Sequence, residues 1–198
     1  AMMTQTEVSE RFLTGCYDYR ANEVVTDAIW TNMQEIGPID YDDADYDFAA
    51  DLKDTVPAEQ IESRLSDRPD ELTERIRDEP LYPEPIEAFD EDQQTHGSTE
   101  VGDVSWITPT GQFRGATWPI GVPGHSWQIV AANGDFAQKG VTFAAKVLAG
   151  ATYDLLVNEE LLAAAQAEFN EEIGSDAYET PLPPEAEPPA DVTAMSDD

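Results

Sequence analysis

Lysine is nearly missing from this 198-residue sequence: Lys53, Lys139 and Lys146 are its whole complement. With the arginines they make ten basic residues against forty-two Asp and Glu, for a formal net charge of -32. Phosphate contacts need clustered Lys and Arg, so their scarcity excludes nucleic acid and anionic membrane surfaces as partners. Cysteine is reduced to Cys16, which rules out an internal disulfide, and no CxxC or Cys/His cluster is present to hold a structural metal. A reducing, cytoplasmic compartment is the expectation. No run approaches the roughly 20 apolar residues of a membrane span, and the first residues lack the basic-then-apolar pattern of a signal peptide. No membrane is expected. Histidine is scarce too, with only His96 and His125.

What the sequence has in excess is carboxylate. Self-repulsion of this size opposes a compact state in dilute buffer and is relieved only where salt shortens the screening length. The chain therefore reads as haloarchaeal in composition, made for a salt-rich cytoplasm. The alternative, an acidic and partly disordered protein, fits less well because the apolar residues, 40% of the chain, are patterned and not dispersed.

In chain order, Phe12 to Tyr17 suits a short strand. Asn22 then opens a helix whose Val24, Val25, Ala28, Ile29, Met33 and Ile36 recur at helical spacing until Gly37-Pro38 stops them. Asp42-Asp43 caps a weaker helix, and residues 58–77, broken by Pro69, read as two short surface helices. A Pro-rich acidic loop leads to the stretch from Gly97 to Gln128, where both histidines and three of the four tryptophans lie in or beside one window. Strands are expected near 113–119 and 127–132. A long helix of about 137–157 follows, with Val141, Ala144, Ala145, Leu148, Ala151 and Leu155 as the face for close packing, and it should be the central buried helix. Asn158 caps a last helix. From Ser175 the chain is Pro, Glu, Asp and Ala, and reads as a disordered or surface-draped tail.

His125, on the turn Gly121-Val122-Pro123-Gly124, is the sharpest candidate for chemistry, as a metal ligand or general base. On spacing alone, a lone His on a turn reads as a hydrogen-bonding structural residue, because no second His stands three to five residues away. His96 reads as a surface residue. Glu100 and Asp103 are candidate orienting carboxylates among many solvated ones. Ser98, Ser105 and Ser126 lack the Gly-x-Ser-x-Gly elbow of a serine hydrolase. Trp106, Trp118 and Trp127 read as core first and pocket wall second.

The run Gly97-Ser98-Thr99-Glu100-Val101-Gly102-Asp103-Val104-Ser105-Trp106, followed by Pro123-Gly124-His125-Ser126-Trp127-Gln128 and Lys139-Gly140, resembles the aminobenzoyl-glutamate utilisation protein B branch of the dinuclear-zinc amidohydrolases and peptidases, the carboxypeptidase G and acetylornithine deacetylase type. Gly15-Cys16-Tyr17-Asp18-Tyr19 with Asn22, and Asn32-Met33-Gln34-Glu35-Ile36-Gly37, resemble that family's passage from its lid into the second half of its catalytic domain. The resemblance covers about residues 1–172. It departs at Glu100, where Asp is usual, and at Gln138, where His often precedes Lys-Gly.

The resemblance implies an α/β fold: residues 1–20 as the end of a lid (dimerisation) domain, 21–172 as the C-terminal half of a zinc-peptidase-like catalytic domain, and 173–198 as an acidic tail. It implies hydrolysis of the amide of a small N-acyl amino acid or aminobenzoyl-glutamate-like substrate by metal-bound water. It makes His125 a metal ligand for zinc, or for manganese or cobalt, in a dinuclear centre, and makes Ser98 and Asp103 substrate-binding candidates. The catalytic residues would lie in an N-terminal half that nothing in these residues matches. The chain is thus expected to be a C-terminal piece, inactive alone, whose partner is the missing half and whose complete form is a homodimer. A non-catalytic binding or assembly module is the competing reading.

Overall fold

The computed structural model describes residues 3, 6–9, 12, 14–66, 68–87, 99–173, 178–184 and 186. The regular elements among them are helical: α1 (Glu23–Ile36), α2 (Asp43–Lys53), α3 (Ala58–Leu65), α4 (Asp70–Ile76), α5 (Val101–Ser105), α6 (Trp127–Ala132), α7 (Asp135–Val157) and α8 (Glu159–Ile173). The expected α/β architecture is therefore overturned, since no strand occurs among the described residues. Residues 14–17 form no strand either.

Two local causes explain the missing strands. In 127–132 the Ser126 side chain accepts from Ile129 N at 3.4 Å, a helix N-cap that turns the short apolar run into α6. Residues 113–119 stay irregular because a strand needs a neighbour to satisfy its backbone, and none of the described residues offers one. From 111 to 118 there is no backbone–backbone hydrogen bond among the described residues. The segment is instead anchored at three places: Asn22 N donates to Thr110 O (2.9 Å), Tyr41 OH to Ala116 O (2.5 Å) and Ile120 N to Pro80 O (3.0 Å).

The centre of the fold is α1 against α7 and α8. Val25, Ile29 and Met33 of α1 meet Phe136, Phe143, Val147 and Ala151 of α7 and Ala165 of α8, with Ile39, Tyr41, Ala49, Leu52 and Leu81 closing the cluster. Polar ties fix the register. Buried Asn22 caps α1 by accepting from Val25 N (3.1 Å) and donates to Ala165 O (3.1 Å), while Glu168 of α8 accepts from Glu23 N (2.5 Å) and Val24 N (3.0 Å). The N-terminal amides that α1 cannot satisfy internally are thus partly met by α8. Asn32 of α1 donates to Asp154 of α7 at 2.7 Å.

The face that α7 buries shares only Ala151 with the expected one. Phe136, Ala137, Gly140, Phe143, Val147 and Ala151 are buried, while Val141 is 49% exposed and Leu148 52%. Two apolar stripes compete on this helix, and the one carrying both phenylalanines has more area to remove from water. At 23 residues, with a mean hydropathy of 1.3 over its most apolar part, α7 reaches what a membrane span requires by length and composition, which the sequence reading did not anticipate. Its Phe136–Ala151 seam nevertheless packs in the core.

A second cluster of Leu65, Leu72 and Ile76, with Ile61, Tyr82 and Ile120, holds α3 and α4. α2 is tied to α7 by Lys139, whose ammonium reaches Asp42 at 3.0 Å and also Asp45. These carboxylates form the capping box of α2, and the hydrogen bond to Lys139 foremost holds Asp42 below the usual carboxylate range.

Tyr41 supplies a pH test of this packing. Burial foremost, and then the negative charge of Asp45, push its phenol from 10.0 up to about 12. Between those values the unfolded chain has released a proton that the folded chain keeps, so stability is intact below pH 10 and falls as pH rises towards 12. Tyr41→Phe should cost about 1 kcal/mol at pH 7, from the lost bond to Ala116. It should also shrink the alkaline loss, as urea titrations at pH 7 and pH 11 would show. An equal alkaline loss in both proteins would mean that Tyr41 is not the titrating group.

Candidate functional site

The stretch from Gly97 to Gln128 is divided between two places. His96, Gly97 and the substrate-binding candidate Ser98 lie outside the described residues.

The first place is a corner built by α5. Gly102 lies so close to the Tyr17 carbonyl that a Cβ there would overlap its oxygen. Ser105 accepts from Arg20 N at 3.0 Å and donates to Gly102 O at 2.6 Å, and the Trp106 indole donates to Asp18 O at 3.0 Å. Tyr17 packs on Trp106 at 4.8 Å and on Tyr178 at 5.5 Å, and the Arg20 guanidinium lies 4.2 Å from the Trp106 ring centre. Asp103, the other substrate-binding candidate, sits here. It accepts from Tyr178 OH at 2.9 Å, and that hydrogen bond is the main cause of a raised Tyr178 phenol pKa.

The second place is an open groove of about 1140 Å³. Residues 114–122 and Gly124 form one wall, α3 and α4 another, and residues 82–86 a third. Gly121, at φ 78°, turns the chain where a Cβ would stand 2.7 Å from Ile61, so the approach of this wall to α3 depends on glycine. Asp103 does not line the groove, but Gly124 does, and the next residue is His125. His125 is exposed and has φ 57°, the only positive φ outside glycine among the described residues. An imidazole in the left-handed region is uncommon and costs on the order of 1 kcal/mol, and such strain persists where surrounding structure dictates it. Here Pro123 precedes the turn and the Ser126 cap of α6 follows it.

His125 is the one histidine among the described residues, and no group of three or more His, Cys, Asp or Glu able to hold a metal occurs among them. The donor set present does not by itself fit a metal centre, which takes about three protein ligands.

Sequence reasoning did not single out the arginines of the groove. Arg64, Arg68 and Arg114 line it, together with Glu59 and Glu84. The scarcity of basic residues was the available signal; helical spacing was not one, because α3 ends at Leu65 and Arg68 lies beyond it.

The chain is similar to a p-aminobenzoyl-glutamate hydrolase subunit of Escherichia coli (strain K12), 28% identical over 196 residues, which is 95% of this chain and 41% of that protein. The chain thus spans less than half the length of the relative it matches. No protein-family profile matches the chain. No solved structure matches it.

Proposed function

We propose that this chain is the C-terminal part of a metal-dependent amidohydrolase that cleaves the amide bond of a small N-acyl amino acid or an aminobenzoyl-glutamate-like substrate. The observation that carries the reading is the similarity to a p-aminobenzoyl-glutamate hydrolase polypeptide along 95% of the chain. The His125 turn beside the groove supports it, since it presents an imidazole to solvent on a fixed backbone. In this reading His125 contributes one ligand to a zinc centre whose other donors, and whose catalytic residues, come from the rest of the enzyme. Zinc would supply activated water for attack on the amide. The chain's own part is to hold the imidazole and to provide the groove. Residues 1–20 would belong to a lid that pairs two copies of the enzyme, and 21–172 to the catalytic domain.

In the protein assembled with its remaining catalytic half, His125→Ala should lower bound zinc and slow aminobenzoyl-glutamate hydrolysis by about a hundredfold or more. Folding should change by no more than about 0.5 kcal/mol, because the side chain is exposed. Metal analysis and hydrolysis rates check this. Full zinc and full rate in the variant would remove the ligand role, and an assembled protein with neither would leave a binding or assembly module.

A further inference from the structure

In a chain with so large an excess of acid, every cation should find a carboxylate or a carbonyl. Of the nine described ones four do, and a fifth, Arg75, finds a hydroxyl. Arg20 lies over Trp106 and donates to Glu172 O, Lys53 donates to Arg77 O and Glu79 O, Arg75 reaches the Tyr82 hydroxyl, Arg77 pairs with Glu62, and Lys139 holds Asp42 and Asp45. The side chains of Arg64, Arg68, Arg114 and Lys146 make no ion pair or hydrogen bond to a described residue. The three arginines among them line the same groove, though Arg114 comes from a segment far along the chain from Arg64 and Arg68.

We propose that this groove is a binding site for a small carboxylate with an aromatic or acyl body, and that Arg64, Arg68 and Arg114 are its anion-recognising groups. Guanidinium forks suit carboxylates, which they can grip with paired N–H donors. Glu59 and Glu84 also face the groove and leave it one charge positive, against -32 for the chain. An anion is therefore repelled less here than over the rest of the surface. Trp118, Tyr82, Ile86 and Ile120 offer the apolar wall that the body of such a ligand needs. Gly124 lines the same groove, so the His125 turn borders it. As the substrate site of the amidohydrolase the inference rests on the reading above, but as a binding site it stands by itself.

The test is a calorimetric titration of the chain with N-benzoyl-glutamate and with its neutral bis-carboxamide, at the lowest KCl concentration that keeps the fold. The dianion should bind, and the carboxamide should bind at least about tenfold more weakly. Arg64→Gln, Arg68→Gln and Arg114→Gln should each weaken the dianion about three- to tenfold, and the triple variant should abolish its binding. Lys146→Gln removes an equally unpaired cation that does not line the groove, and should leave binding unchanged. These arginines are exposed, so the variants should keep the helical circular dichroism of the parent.

Equal binding of the carboxamide, undiminished binding by the triple variant, or an equal loss in Lys146→Gln would each overturn the site. Turnover separates the two readings. An assembled enzyme that hydrolyses benzoyl-glutamate equally well with and without the three arginines keeps the amidohydrolase and loses the carboxylate site. Arginine-dependent binding without hydrolysis by the assembled protein keeps the site and loses the amidohydrolase.

Discussion

Moved from about 1 M KCl to about 0.01 M, the protein should lose its helical circular dichroism, and it should regain it cooperatively when salt is restored. The net charge of -32 is met by few attractive pairs: among the described residues, ion pairs occur only between Arg77 and Glu62 and between Lys139 and Asp42 and Asp45. At low salt the screening length of about 30 Å spans most of a domain this size, so nearly every carboxylate repels every other. At 1 M it is about 3 Å, and only neighbours interact. Helices are exposed to this directly, because α2, α4 and α8 each carry three or more acids along their length. The apolar seam of α1 and α7 does not change with salt, so the balance between a fixed attraction and a screened repulsion decides whether the chain folds. A spectrum that is the same in both buffers would show that the charge is carried without cost, and would end the proposal of a salt-adapted protein.

Gly102→Ala should destabilise the protein by about 3 kcal/mol, at the upper end of what added atoms cost in a filled interior. The new methyl would overlap the Tyr17 carbonyl oxygen, which belongs to the backbone and cannot swing aside. Tyr17 is further held between Trp106 and Tyr178, and Arg20 N is bonded to Ser105, so the whole corner must move if Gly102 gains a side chain. Gly124→Ala is the control: nothing lies within 4 Å of a Cβ there, and its stability should stay within about 0.5 kcal/mol of the parent. Urea midpoints in molar KCl measure both. Equal midpoints would mean that the corner yields, and that α5 is not clamped by its neighbour.

The helices were legible where they carry their own punctuation. Asn22, Asp42, Pro69 and Gly37 mark ends that hold in the fold, because capping is decided by residues within a turn of one another. Strands were not legible, because pairing depends on a neighbour from elsewhere. Trp127–Ala132 is too short for its apolar pattern to separate strand from helix, and the Ser126 cap was the signal that decided it. The buried face of α7 was misjudged because two stripes share the helix, and only the rings that meet across the core, such as Phe113 and Phe143, select one. The histidine turn was visible as a motif, but the arginine groove was not, since nothing local joins Arg64 and Arg68 to Arg114.

The wall that carries Arg114 has a mechanical character different from the walls opposite. It is a strap pinned at Thr110, Ala116 and Ile120, with no backbone bond along residues 111–118 to break when it bows. α3 and α4 cannot yield in this way, because bending either would cost helical hydrogen bonds. Phe113 and Ala116 tie the strap to the core, so this wall is held by packing and by its pins in place of a backbone ladder. Arg114 sits on that wall, Arg64 on α3, and Arg68 on the connection between α3 and α4.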